Sequence, residues 1–112
     1  MASDVSTIVS IARGRGTGTG EELGLEMWQD FKDDVWRLVR QQCGLPVADG
    51  EGSWHYQDSE TGAQREDNYI LVAGEFPFAR AAFEAQLAKL AHEYSQDTIA
   101  VTYAVPSFIG AR

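Results

Sequence analysis

The chain has 112 residues, which is one domain's worth: two units of half that length would each bury too small a core. Hydrophobic content of 44%, with three Trp, four Tyr and five Phe, excludes a disordered chain. A net charge of −8 argues against a general nucleic-acid binder and against attachment to an anionic membrane surface, both of which call for a basic face.

Val5 to Ala12 is β-branched and apolar at nearly every position, the pattern of a strand central in its sheet and covered on one face. Arg13-Gly14-Arg15-Gly16-Thr17-Gly18-Thr19-Gly20 ends it, because four alternating glycines hold neither strand nor helix cheaply; residues 13–22 are expected to form a loop. A helix is predicted from about Leu23 to Gln42, with Leu25, Trp28, Phe31, Val35 and Leu38 as one apolar stripe, Val39 widening it and Trp36 off it. Gly44 and Pro46 stop that helix, and Asp49-Gly50-Glu51-Gly52 reads as a turn.

Ser53–Gln57 reads as a short second strand and Asn68–Ala73 as a third, joined closely enough to pair as an antiparallel hairpin. Pro77 suits a first helical turn, and Phe83, Leu87, Leu90 and Tyr94 form the stripe of a second helix. Thr98–Val105 is the last strand, ended by Pro106, and residues 107–112, like 1–4, are accessory ends. Two helices with one stripe each belong on the same face of a four-stranded sheet. The order then selects an α+β, ferredoxin-like split βαββαβ sandwich with strand order 4-1-3-2. Its second sheet face stays uncovered, so a homodimer through that face or a sheet edge is expected.

Several short motifs run through this frame: Trp28-x-x-Phe31-x-x-x-Val35, Gly52-x-Trp54, Glu66, and Tyr94-Ser95-Gln96-Asp97-x-Ile99-Ala100-Val101. They resemble a group of small uncharacterised proteins encoded by actinobacterial phages, which carry a Trp-x-x-Phe helix and a Tyr-Gly-Gln-Asp-x-Ile-Ala-like junction. More distantly they are similar to a bacterial domain family of unknown function. This chain departs from the pattern in its Gly/Arg/Thr insertion and in Ser95, where glycine is usual. The resemblance implies a fold and a phage-like origin and brings no reaction with it.

Candidate sites are few. Arg13, Arg15, Thr17 and Thr19 in the glycine loop could hold a phosphorylated ligand through backbone amides, guanidinium groups and hydroxyls, although no Walker lysine follows and Glu21 and Glu22 oppose phosphate there. The other reading of that loop is a mobile connector. Glu22, Glu26, Asp30, Asp33 and Asp34 form either a solvated helix face or a surface for a basic partner. Trp54 and Tyr56 share a strand face and are read as core or as a dimer seam, with base stacking disfavoured by the acidic charge. Glu66 and Asp67 read as a solvated strand end in preference to paired catalytic carboxylates, and Gln96 and Asp97 as side chains that bond the turning backbone. Cys43 is alone, and neither His55 nor His92 has metal-ligand spacing, so no metal or cofactor is expected. The first residues are not expected to act as a signal peptide and no run is long enough to span a bilayer, so a cytoplasmic protein of the host cell is expected.

With no nucleophile–base pair legible, the expected function is a non-enzymatic phage-type accessory protein that binds a host protein through its acidic surface. The alternatives are a small-ligand binder using the Gly/Arg loop, and a virion structural component.

Overall fold

The computed structural model describes residues 5–14, 21–58 and 62–111, with backbone alone for 56–58 and 62–64. Its elements run β1 (Ser6–Ala12), α1 (Leu25–Cys43), β2 (Pro46–Asp58), β3 (Gly62–Ala73), α2 (Arg80–Glu93) and β4 (Ala100–Ala104). The four strands form one antiparallel sheet in the order β2-β3-β1-β4, which is the expected ferredoxin-like arrangement with β1 and β3 central.

β1 alternates half-buried and buried residues along its length, as a strand with one covered face must. Thr7, Val9 and Ile11 point to the helices, opposite Ala73, Leu71 and Tyr69 of β3. Against them pack Trp28, Phe31, Val35, Leu38 and Val39 from α1 and Phe83 and Leu87 from α2. The Phe31 and Tyr94 rings stack with centroids 4.5 Å apart and so lock α1 to the end of α2. Thr7 is fully buried among these apolar groups, and its hydroxyl donates to the Glu75 carbonyl oxygen at 2.7 Å.

Five boundaries differ from the sequence expectation, the simplest being β4, which spans Ala100–Ala104 and not Thr98–Val105. Leu25 is 74% exposed, and Leu23, ahead of the helix, fills the core position instead. Its N–H bonds to the Arg13 carbonyl oxygen at 2.9 Å, which turns the chain inward one step before α1 begins. β2 starts at Pro46, so Gly50 and Gly52 lie within a strand opposite Ile70 and Asn68 and form no turn. Gly52 is there because another residue approaches: a Cβ at that position would stand 3.1 Å from the Asn68 Oδ1. β3 starts at Gly62 rather than Asn68, which makes β2 and β3 one long hairpin. α2 begins at Arg80 and not at Pro77, because the Phe78 N–H is bonded to the Gln42 carbonyl oxygen at the end of α1.

Candidate functional site

The Gly/Arg loop lies mostly outside the described residues, and Arg15, Thr17 and Thr19 with it. Arg13 is described, and it is occupied within the molecule. Its Nε donates to the Leu23 carbonyl oxygen at 2.8 Å, its NH1 to Asp67 Oδ2 at 3.3 Å, and Glu22 stands 3.8 Å away. Gly14 and Glu22 then form a bridge that closes the loop's base. Arg13 is a structural cross-tie between loop, strand and helix entry, its guanidinium engaged by the protein's own groups.

The acids around α1 are likewise partly committed. Asp34 accepts from the Tyr94 hydroxyl at 2.5 Å and from Arg37 at 3.1 Å, and Asp33 accepts from Gln29 at 3.0 Å. Glu22 belongs to the Arg13 cluster, while Glu26 and Asp30 are exposed. Gln96 does bond the turning backbone as expected, its side-chain amide donating to the Tyr94 carbonyl oxygen at 3.1 Å. His55 on β2 and His92 on α2 are both exposed, and no cluster of metal-ligating side chains occurs among the described residues. Cys43 is buried and its thiol is pushed up to about 11 by desolvation, against a smaller opposing hydrogen bond with Thr7.

Two concavities and the open sheet face bring polar side chains together. Between α1 and β2, a cleft of about 560 Å³ is lined by Lys32, Asp33, Trp36, Asp49, Glu51 and Tyr69. Its cation site is taken by the protein's own lysine: Lys32 pairs with Glu51 and places its Nζ 5.4 Å from the Trp28 ring and 6.0 Å from the Tyr69 ring. The Tyr69 hydroxyl is satisfied by Asp49 at 2.7 Å, and burial together with that carboxylate pushes its ionisation far up. Between α2 and β4 lies a longer groove of about 620 Å³ with an apolar floor. At one of its ends Glu84 accepts from Arg80 at 2.9 Å and from Tyr103 at 2.6 Å, while the Arg80 guanidinium covers the Tyr103 ring at 4.0 Å.

The third place is the uncovered sheet face. Trp54 is 51% exposed, so it is not a core residue, and the register sets it directly opposite Glu66. Tyr56 is set opposite Gln64 by the same register. Strand alternation puts Trp54 and Glu66 on the face away from the helices, with Asn68, Ile70 and Val72 farther along β3. Glu66 lies hard against Gly14, where any Cβ would collide with its carboxylate. Desolvation, and secondarily the charge on Glu22, raises the Glu66 pKa. Among the described residues no cation pairs with it. Sequence reading passed Glu66 over as a solvated strand end; the missed signal was its register with Trp54, which depends on where a hairpin of unknown length turns.

This is therefore an open-faced ferredoxin-like sandwich with an aromatic–carboxylate pair on its bare sheet. The same fold occurs in a phage SAM lyase solved in complex with S-methyl-5'-thioadenosine, at a TM-score of 0.54 and 11% identity over 90% of this chain and 80% of that one. The apo form of a phage SAM lyase matches at 0.47 and 9% identity over 95% and 92% of the two chains. A DUF3240 family protein from Shewanella baltica matches at 0.45 and 15% identity over 98% and 97%. No protein-family model and no curated protein matches the sequence.

The first of these comparisons corrects the expectation of a non-enzymatic protein that modulates a host partner. A protein of this fold is an enzyme with a small molecule bound, so the lack of a legible nucleophile–base pair does not remove this architecture from catalysis. No described helix is long and apolar enough to cross a membrane.

Proposed function

We propose that this chain binds an adenosyl sulfonium compound on its open sheet face and cleaves it, as a lyase acting on S-adenosylmethionine. The observation that carries the reading is the Trp54–Glu66 pair. It combines an exposed indole on β2 with a partly desolvated carboxylate directly opposite on β3, one that no cation among the described residues pairs with. Directly opposed side chains stand roughly 5 Å apart at Cβ. A purine and its ribose are joined at that spacing, so Trp54 stacks the base while Glu66 accepts the ribose hydroxyls. Stacking on an aromatic ring is worth about 1–3 kcal/mol per base. The phage lyase that shares the fold holds a thioadenosine, which supports the ligand class.

The chemistry explains why no catalytic constellation could be read from the residues. In S-adenosylmethionine the leaving group is already a positively charged sulfonium. The substrate's own carboxylate oxygen attacks its γ carbon, the new C–O bond forms as the C–S bond breaks, and the electron pair goes to sulfur. Neutral methylthioadenosine and a protonated amino-lactone result, and no proton moves to or from the protein. The protein's task is to hold the amino-acid arm folded over the sulfonium. Orientation of that kind supplies on the order of 7–11 kcal/mol in well-aligned intramolecular reactions. A net charge of −8 draws in a substrate whose sulfonium and ammonium outweigh its single carboxylate.

The test is incubation of the purified chain with S-adenosylmethionine and detection of methylthioadenosine by liquid chromatography and mass spectrometry. Turnover in the wild type, with KM raised about tenfold or more in Glu66→Ala and Trp54→Ala and kcat less affected, supports the reading, since both groups hold the adenosyl part. Absence of methylthioadenosine above the uncatalysed background overturns it.

A further inference from the structure

The groove between α2 and β4 takes no part in the site proposed above. Leu87, Ala88, Ala91, Ile99 and Val101 form its floor. In the described sheet β4 pairs with β1 alone, so its outer edge carries unpaired backbone donors and acceptors beside an apolar trough. A helix lying alongside an open strand edge is the geometry that accepts an extended peptide as an additional strand.

The same chain carries a segment that fits it. After β4 the residues from Val105 to Ala111 form no regular structure, and Val105, Phe108 and Ile109 are 73%, 76% and 90% exposed. Pro106 has no N–H and so ends the chain's own β4 ladder. We propose that this tail adds as a strand to the β4 edge of a second copy, and that the exchange is reciprocal, giving a twofold dimer.

Three features favour a second copy as the occupant. Consecutive bulky residues in a strand point to opposite faces, so Phe108 and Ile109 need apolar cover on both. β4 offers it: Val101 and Tyr103 on the helix side, and Ala100, Thr102 and Ala104 on the open side, with no charged residue among them. Length agrees as well, because Ser107–Ala111 matches the five residues of β4. Charge agrees last. In a chain of net −8, the tail from Val105 onward contains no acid and one base, Arg112, while the groove's lining carries two acids, Glu84 and Asp97, against one full cation, Arg80. Elsewhere two copies repel; at this contact they do not.

The oligomeric mass decides the matter, measured by light scattering on the full chain across a dilution series. The wild type is expected at twice 12.3 kDa, and the double variant Phe108→Ser/Ile109→Ser at the single mass with unchanged circular dichroism. Val101→Glu, which blocks the groove, is expected to give the single mass too. Mixing the tail variant with the groove variant restores a dimer, because one intact tail then meets one intact groove. A monomeric wild type, a tail variant that still dimerises, or a mixture that stays monomeric would each overturn the proposal. The tail variant alone carries the test if Val101→Glu fails to fold, since Phe108 and Ile109 lie outside the core.

Discussion

Gly14 and Glu66 are in contact across the β1–β3 boundary, so closely that a methyl group on residue 14 has no room beside the carboxylate. The glycine is thus needed for where a neighbour's side chain lies, and not for a turn of its own. Gly14→Ala must push the carboxylate toward solvent. Because desolvation is the main cause of the raised Glu66 pKa, that displacement should bring the pKa down toward the ordinary carboxylate range. Side-chain carboxyl NMR titration of the two proteins checks this; an unchanged Glu66 titration would show that the carboxylate does not depend on Gly14. If the adenosyl site lies where proposed, the same variant weakens substrate binding without touching Trp54.

Glu66 also sets the sign of a pH effect on stability. Its folded-state pKa lies above its unfolded value, so the folded chain holds this proton to higher pH than the unfolded chain does. Above the folded pKa the ionised group therefore costs stability, and below the unfolded pKa it costs nothing. Glu66→Gln should melt at a higher temperature than the wild type near neutral pH, with the gain shrinking as the pH falls through the carboxylate range. Thermal melts of both proteins at a series of pH values read this directly. A gain independent of pH would assign it to packing instead of charge. A stabilised variant that has lost substrate affinity is the usual mark of a strained functional group.

Tyr94 does two jobs that substitution can separate. Its ring stacks on Phe31, and its hydroxyl donates to Asp34 at 2.5 Å. Tyr94→Phe keeps the first and removes the second, and a hydrogen bond to a carboxylate contributes about 1.5–3 kcal/mol net. The partial exposure of this pair puts the expected loss below that range, at about 1 kcal/mol, or a few degrees in melting temperature. Tyr94→Ala removes the stack as well and should cost clearly more. The two together show how far the end of α2 is held by packing and how far by the α1 acid.

How much could be read beforehand follows from the range of each signal. The order of elements and the strand order were legible because helical stripes such as Trp28, Phe31, Val35 and Phe83, Leu87 and the alternation in β1 are local patterns with few topological solutions. The length of β2 was not, because Gly50 and Gly52 look like turn glycines until the approach of Asn68 is known. Arg13 looked like an anion ligand for the same reason: its partners Leu23 and Asp67 are 10 and 54 residues away. The Trp54–Glu66 pair depends on the register of a hairpin whose turn carries no strong signal, so it emerged only with the sheet. The proposed activity would leave no nucleophile–base pair in the sequence, because in such a reaction the substrate supplies both nucleophile and leaving group.

Ser95 shows how one backbone angle ties the junction motif to the fold. It follows the end of α2 with φ at 55°, the left-handed region where a Cβ is unfavourable, and it stands where the resembled pattern has glycine. The turn is held by the Ser95 N–H to the His92 carbonyl oxygen and the Gln96 N–H to the Ala91 carbonyl oxygen, at 3.3 and 2.8 Å. These backbone bonds persist whatever the side chain, so Ser95→Gly relieves the Cβ strain and loses no backbone contact. Against that stands the larger freedom glycine gains in the unfolded chain. The strain of a non-glycine residue in this region is roughly 1–2 kcal/mol and the entropic penalty is about half of that, so a net gain of about 0.5–1 kcal/mol is expected. Denaturant unfolding at matched slope measures it. A loss of stability would mean that the Ser95 side chain contributes to the turn more than its strained backbone costs.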